Sequence, residues 1–224
     1  MALLGSRPRR LSRRLKKETR TEHDLAEASR FAKLFFKGRF DQRGYAKGLA
    51  RIEPVYAALE AGLEAHDILT PFQRPHVYRR DVIRSDRERF GADLEPVETS
   101  YAARIREIAA DQPFRLLGHF YVRYFADMSG VAKVAPMAHR LLGIDAEVPL
   151  EFFRFRRIPD LRAEKNDLRR QLDAVPPAFH EAVLDEAKRS FVLHRDLVDG
   201  LLVDLEAPSS PQVASAERAS APPV

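Results

Sequence analysis

Apolar positions recur with a period near 3.6 along most of the chain, and this periodicity predicts helices. With Ser12 as N-cap, one helix is expected through Leu15, Leu25, Ala26, Phe31, Leu34 and Phe35. A bend is expected near Ala28 and Ser29, where the stripe changes register. Gly38 reads as its C-terminal cap and Asp41 as the next N-cap. A helix over 42–66 then carries Tyr45, Leu49, Ile52, Val55, Tyr56, Leu59 and Leu63 inward, with a kink at Pro54. Shorter helices are expected over 77–90 and 101–110. Asp111 and Pro113 read as the cap and first residue of a central helix, kinked at Pro136 and ended by Gly143. Residues 147–161 look short and irregular. A helix over 161–172 follows, and Val175-Pro176-Pro177 breaks it. The last helix, over 178–205, turns Val183, Leu184, Ala187, Phe191, Val198 and Leu201 inward, with His194 on the same face. The expected fold is all-α: a single domain, an irregular bundle of about seven or eight helices. Residues 1–11 read as a disordered basic arm, 12–206 as the helical domain, and 207–224 as a disordered Pro/Ser/Ala-rich tail.

The central helix breaks its own apolar pattern. Leu117, Phe120, Tyr121, Tyr124, Phe125 and Met128 would satisfy a core, yet Arg123, Asp127 and Gly130 share one face among them. A helix that only needed packing would not put Gly at position 130, because Gly costs about 1 kcal/mol relative to Ala. One explanation is a helix–helix crossing at Gly130 with a solvated Arg123–Asp127 pair. The other is a flat ligand lying against the glycine beneath a carboxylate. On the first helix Lys16, Arg20, His23 and Glu27 fall at i, i+4, i+7 and i+11. They form either a solvated face or a His ligand flanked by cations.

Composition narrows the chemistry. The 224 residues are 45 % hydrophobic and carry a net charge of +5, which suits an anionic partner. There is no Cys, so disulfides, thiolate metal sites and Cys nucleophiles are excluded and any metal needs His, carboxylate or Tyr ligands. No apolar run reaches the roughly 18 residues of a membrane span, and the start does not read as a secretory signal. A cytoplasmic protein is expected. A nucleic-acid stripe is not expected, because the charges are mixed in sign; a helical nucleic-acid binder stays the weakest reading.

From about Leu15 to Leu205 the chain resembles the heme oxygenase family. LKKETRTEHDLAE is similar to the proximal-helix motif, whose His binds the heme iron; this implies His23 as ligand, with Lys16, Arg20 and Glu27 around it. YVRYFADMSG resembles the distal-helix motif and implies Tyr121, Arg123, Ala126, Asp127 and Gly130 at the site. KNDLR resembles the propionate clamp, giving Lys165 and Arg169. SFVLHRDL resembles the C-terminal helix, giving a heme contact at Phe191. VYAALEAGLE and SYAARI match segments that supply two buried tyrosines, Tyr56 and Tyr101. The resemblance implies cleavage of heme b at a meso carbon to biliverdin, CO and ferrous iron. It also implies O2, electrons from a separate reductase or ferredoxin, and a monomer. Asp127, paired with Arg123 and joined by Tyr56 and Tyr101, would hold an ordered water at the reacting centre.

Three positions depart from the family pattern. Ala126 and Val131 stand where the family usually has glycines, and His194 where it commonly has Asn. Added bulk on the distal helix can displace the water. The alternative function is therefore a heme-binding or heme-transfer protein that leaves heme intact, or one with peroxidase-like chemistry.

Overall fold

The computed structural model describes residues 10–206, apart from the side chains of residues 131–133. Nine α-helices lie among the described residues: α1 (Leu11–Glu18), α2 (Arg20–Glu27), α3 (Arg30–Phe36), α4 (Gln42–Glu64), α5 (Arg80–Phe90), α6 (Ser100–Asp111), α7 (Leu116–Leu142), α8 (Leu161–Asp173) and α9 (His180–Glu206). The all-α expectation holds. The count exceeds seven or eight because the first expected helix is three segments.

The break at Ala28–Ser29 falls where the register change puts it. Ser29 is extended, at φ −61° and ψ 157°, and its side chain accepts from Ala32 N as the N-cap of α3. The break at Thr19 has no apolar signature. Thr19 is buried, and its hydroxyl donates to the Leu15 carbonyl at 2.8 Å, a local bond that competes with the helix ladder and bends the chain between α1 and α2. The chain also enters α1 earlier than expected. Leu11 is helical and fully buried and Arg10 occupies the N-cap position, so Ser12 is not the cap; residues 1–9 of the expected arm and the expected tail over 207–224 lie outside the described residues.

Asp41 does cap α4, accepting from Gly44 N at 2.7 Å. Pro54 lies inside α4 and offers no N–H to the Ala50 carbonyl; the amide of Val97, from the loop before α6, donates there instead at 2.8 Å. Asp111 is the last residue of α6 and caps nothing. The residue before a proline avoids helical dihedrals, and Gln112 (φ −135°, ψ 56°) separates α6 from a 3₁₀ turn at Pro113–Arg115 that leads into α7. Gly143 ends α7 in the left-handed region at φ 64°. The irregular stretch contains one 3₁₀ turn, Glu151–Phe153. Asp86 ties it to α5 and α4 by accepting from Glu151 N, Phe152 N and the Tyr45 hydroxyl.

α4 packs on α5 and α6, and α7 packs on α9. The close helix crossing is at Gly118: a Cβ there would sit 2.6 Å from backbone atoms of Val183 and Ala187 on α9. Gly130, the glycine that the sequence marks for a crossing or a ligand, has none of the described residues within 4 Å of an added Cβ. The crossing explanation for Gly130 therefore fails. α7 is held close to α9 at one end and leaves open space at the other.

Candidate functional site

α7 separates two cavities. The first, of about 300 Å³, lies between α1–α2 and α7 and is lined by Lys16, Thr19, Arg20, His23, Tyr121, Phe125, Ala126, Arg169 and Phe191. His23 stands in its wall with a side chain 46 % exposed. Its Nδ1 is 3.4 Å from Asp24 Oδ1 and its Nε2 is 3.7 Å from Glu27 Oε1. The His23 and Phe191 rings meet edge to face, 6.1 Å between centroids. α2 buries no residue, so His23 rides on a lightly anchored helix. Arg20 is engaged by Asp24 at 2.8 Å. Ala126, one turn before Gly130, is exposed and turns its methyl toward this space.

Two cations on α8 reach the same cavity from the far end. Lys165 Nζ lies 3.3 Å from Ser129 Oγ. Arg169 donates to Asn166 Oδ1 at 2.7 Å and stands over the Phe125 ring, 5.5 Å from its centroid. Neither pairs with a carboxylate among the described residues. Burial, and then the Arg169 charge, makes the Lys165 ammonium easier to deprotonate than usual.

Behind this wall Arg123, Tyr56 and Asp127 meet, but not as a direct ion pair. Arg123 Nη2 is 3.9 Å from Asp127 Oδ1, with both side chains under 10 % exposed. The Tyr56 hydroxyl stands between them: Arg123 donates to it through Nε and Nη2, at 3.2 and 3.1 Å, and it donates in turn to Asp127 Oδ2. Burial raises the Asp127 carboxyl above the ordinary range, opposed by the Arg123 charge and the Tyr56 bond. Burial likewise lifts the Tyr56 phenol well above its usual range. Tyr101, expected beside Asp127, bonds the Ser190 hydroxyl instead. His194, which stands where the family commonly has Asn, meets Arg123 Nη1 through its Nδ1 at 3.1 Å. Burial and then the Arg123 charge push its imidazole down to about 3.

Arg123, Asp127 and His194 also line the second cavity, an apolar space of about 360 Å³ among Phe31, Phe35, Tyr45 and Leu49. The structure thus gathers Lys16, Arg20, His23, Tyr121, Ala126, Arg169 and Phe191 in one cavity, with Lys165 at its edge. It sets Arg123, Tyr56 and Asp127 behind α7, leaves Gly130 open, and puts Glu27 beside His23 outside the cavity lining. Thr19, Phe125 and Ser129 were missed; each reads as ordinary core or surface until α2 and α8 are folded against α7.

A model of the heme oxygenase family matches residues 9–200. Heme oxygenase 1 of the cyanobacterium Nostoc sp. is 30 % identical over 203 residues, 85 % of each protein. The heme oxygenase of Guillardia theta is 30 % identical over 176 residues, 74 % of each. Among solved structures, heme oxygenase-1 of Synechocystis sp. in complex with heme superposes with a TM-score of 0.81 at 26 % identity, covering 88 % of this chain and 94 % of that one. The enzyme of Leptospira interrogans gives 0.78 at 30 % identity, covering 85 % and 98 %. The match runs through α1, α7 and α9 alike, so it takes in every helix that bounds the site: the chain belongs to the heme oxygenase family.

Proposed function

We propose that this chain is a biliverdin-producing heme oxygenase that binds heme b between α2 and α7, where His23 would hold the iron. The observation that carries the reading is the make-up of one cavity. A half-exposed histidine faces a helix with open space at Gly130, while Lys165 and Arg169 wait at the edge without carboxylate partners. That donor set fits a flat, iron-bearing, doubly anionic molecule. Heme, once bound, supplies the iron at which O2 is reduced and the meso bridge that is opened to release biliverdin, CO and ferrous iron.

The protein's part is to bind, orient and hold protons. One His23 nitrogen takes the iron; the other is kept in its tautomer by Asp24 or Glu27, both on its own helix. Lys16, Lys165 and Arg169 pair with the propionates, and the Arg169 fork, braced on Phe125 and Asn166, fixes the in-plane orientation. Arg20 joins them when it leaves Asp24. Tyr121, Ala126 and Phe191 give the apolar faces. Asp127, held by Tyr56 at one oxygen, keeps the other for an ordered water at the reacting centre. Electrons come from a separate reductase or ferredoxin, and the protein works as a cytoplasmic monomer. No helix among the described residues is long and apolar enough to cross a membrane.

Ala126 favours a second reading, a heme protein that leaves its ligand intact, because its methyl narrows the cavity. Val131 bears on the same question, but its side chain lies outside the described residues. Aerobic incubation of the heme complex with a reductant, followed by absorption, separates the two. Oxygenase chemistry is expected to replace the heme spectrum with that of biliverdin; heme that stays intact would establish the second reading. Asp127→Ala is expected to keep heme binding and lose biliverdin. A variant that makes biliverdin at the wild-type rate would remove Asp127 from the mechanism.

A further inference from the structure

We infer that His194 is a positioning residue that holds Arg123 on Tyr56 and away from Asp127. The inference rests on the network's being part of the proposed heme site, and it concerns a residue where this chain departs from the family pattern. A guanidinium carries five N–H donors, has no acceptor and stays charged at all working pH values. The His194 nitrogen facing Arg123 Nη1 at 3.1 Å is therefore the acceptor, so Nδ1 is bare and the ring proton is on Nε2. On its other edge Arg123 donates twice to the Tyr56 hydroxyl. With its lone pairs used, that hydroxyl has one direction left for its proton, toward Asp127 Oδ2. Arg123 thus donates to His194 on one edge and to Tyr56 on the other, and Tyr56 donates onward to the carboxylate.

The alternative arrangement is close at hand. Arg123 Nη2 is 3.9 Å from Asp127 Oδ1, and a direct Arg–carboxylate fork is among the strongest pairings available. Such a swing would occupy Oδ1 and strip Tyr56 of its donors. In the observed arrangement Oδ1 accepts no hydrogen bond from the described residues. Arg123 is 7 % exposed, and among the described residues its Nη1 meets no acceptor other than His194. An acceptor at position 194 keeps the guanidinium back. The charged and titratable groups that surround this arrangement are Arg123, Tyr124 and Asp127 on α7, Tyr56 on α4 and Tyr101 on α6, with the Arg79 charge also acting on Asp127. Burial, and then the cation among them, disfavours a second proton on the ring, and a doubly protonated ring would offer Arg123 no acceptor.

The test begins with the heme-free protein. ¹⁵N NMR of the His194 imidazole is expected to report the Nε2–H tautomer, with Nδ1 unprotonated, from about pH 5 to 8. A proton on Nδ1 in that range would overturn the inference whatever the protein does with heme. Two variants extend it. His194→Asn keeps an acceptor near the place of Nδ1, and His194→Leu keeps bulk without one. In the heme-free protein the Arg123 N–H resonances are expected to stay in place in the Asn variant and shift in the Leu variant. With heme and reductant, biliverdin formed per O2 consumed is expected to fall on the order of tenfold in the Leu variant and to be kept by Asn. Unchanged Arg123 resonances and unchanged yield in His194→Leu would reduce His194 to a packing residue. A wild type that made no biliverdin would count against the proposed function, not against the tautomer measured without heme.

Discussion

α2 and α7 face each other across one cavity and are built in opposite ways. α2 buries no side chain, follows a break at Thr19, and presents a half-exposed His23 whose nearest polar contacts are on its own helix. α7 carries Phe120 and Tyr124 fully buried, crosses α9 at backbone contact near Gly118, and holds Arg123 and Asp127 through Tyr56 from α4. The lesson is a division of labour. The wall that must open for a large planar ligand is the lightly anchored one. The wall that must hold protons and water at fixed places is tied to α4 and α9. A preformed network loses little reorganisation at the moment of reaction, whereas a metal ligand can be brought in with the metal.

The largest effect should come from the weakly held side. His23→Ala removes the proposed ligand and, of the core, only its edge-to-face contact with Phe191. Turnover is expected to be abolished, while the thermal stability of the heme-free protein stays within the ±0.5 kcal/mol or so of an ordinary surface substitution. Added imidazole should restore a His-ligated absorption spectrum. An unchanged Soret band would mean that another group binds the iron and that the contrast between the two walls has been drawn in the wrong place.

The second test stays within α7. Gly118→Ala drives a methyl to 2.6 Å from the α9 backbone and should destabilise the heme-free protein by about 1–3 kcal/mol or more. Gly130→Ala meets open space and removes a flexible residue from a helix, so it should stabilise the heme-free protein by up to about 1 kcal/mol. Heme affinity should weaken in Gly130→Ala. Denaturant titration of both variants, with heme titration of the second, checks the pair. Equal destabilisation would erase the distinction between the packed and open ends of the helix.

The smallest effect is one of pH. His194 stays neutral in the folded protein down to about 3, against about 6.5 for an unperturbed imidazole. Below that higher value the unfolded chain takes up a proton that the folded chain refuses, so this residue's contribution to stability declines as pH falls from about 6.5 toward about 3. Asp127 has the opposite sign. Its folded carboxyl binds a proton more readily than the unfolded one, so its ionisation weakens the fold at neutral pH and acid relieves this. The two can be separated because His194→Asn deletes only the first. Melting temperatures of the heme-free proteins should fall less for the Asn variant than for the wild type between neutral pH and about pH 5. Parallel curves would mean that the His194 ring is not shielded in the way described.

The helices, the caps at Asp41 and Gly143 and the order of the motifs were legible in the sequence because each is written over a few neighbouring residues. An apolar stripe, an Asp three residues before an amide it can cap, or a Gly after the last turn carries its meaning locally. His23 and Asp127 could be singled out in the same way, as polar groups in patterns that local packing does not require, whereas Lys165 and Arg169 came from the family resemblance. The tertiary structure decided what no local pattern encodes. Thr19 breaks the first helix through a hydroxyl bond that depends on its burial. Gly118, not Gly130, is the point of helix contact, because that depends on where α9 returns 65 or so residues later in the chain. Arg123 turns to Tyr56 and His194 instead of the carboxylate one turn away, since its donors are filled by whichever buried acceptors the fold brings near. Spacing along one helix states which groups can meet; the partners arriving from other helices decide which of them do.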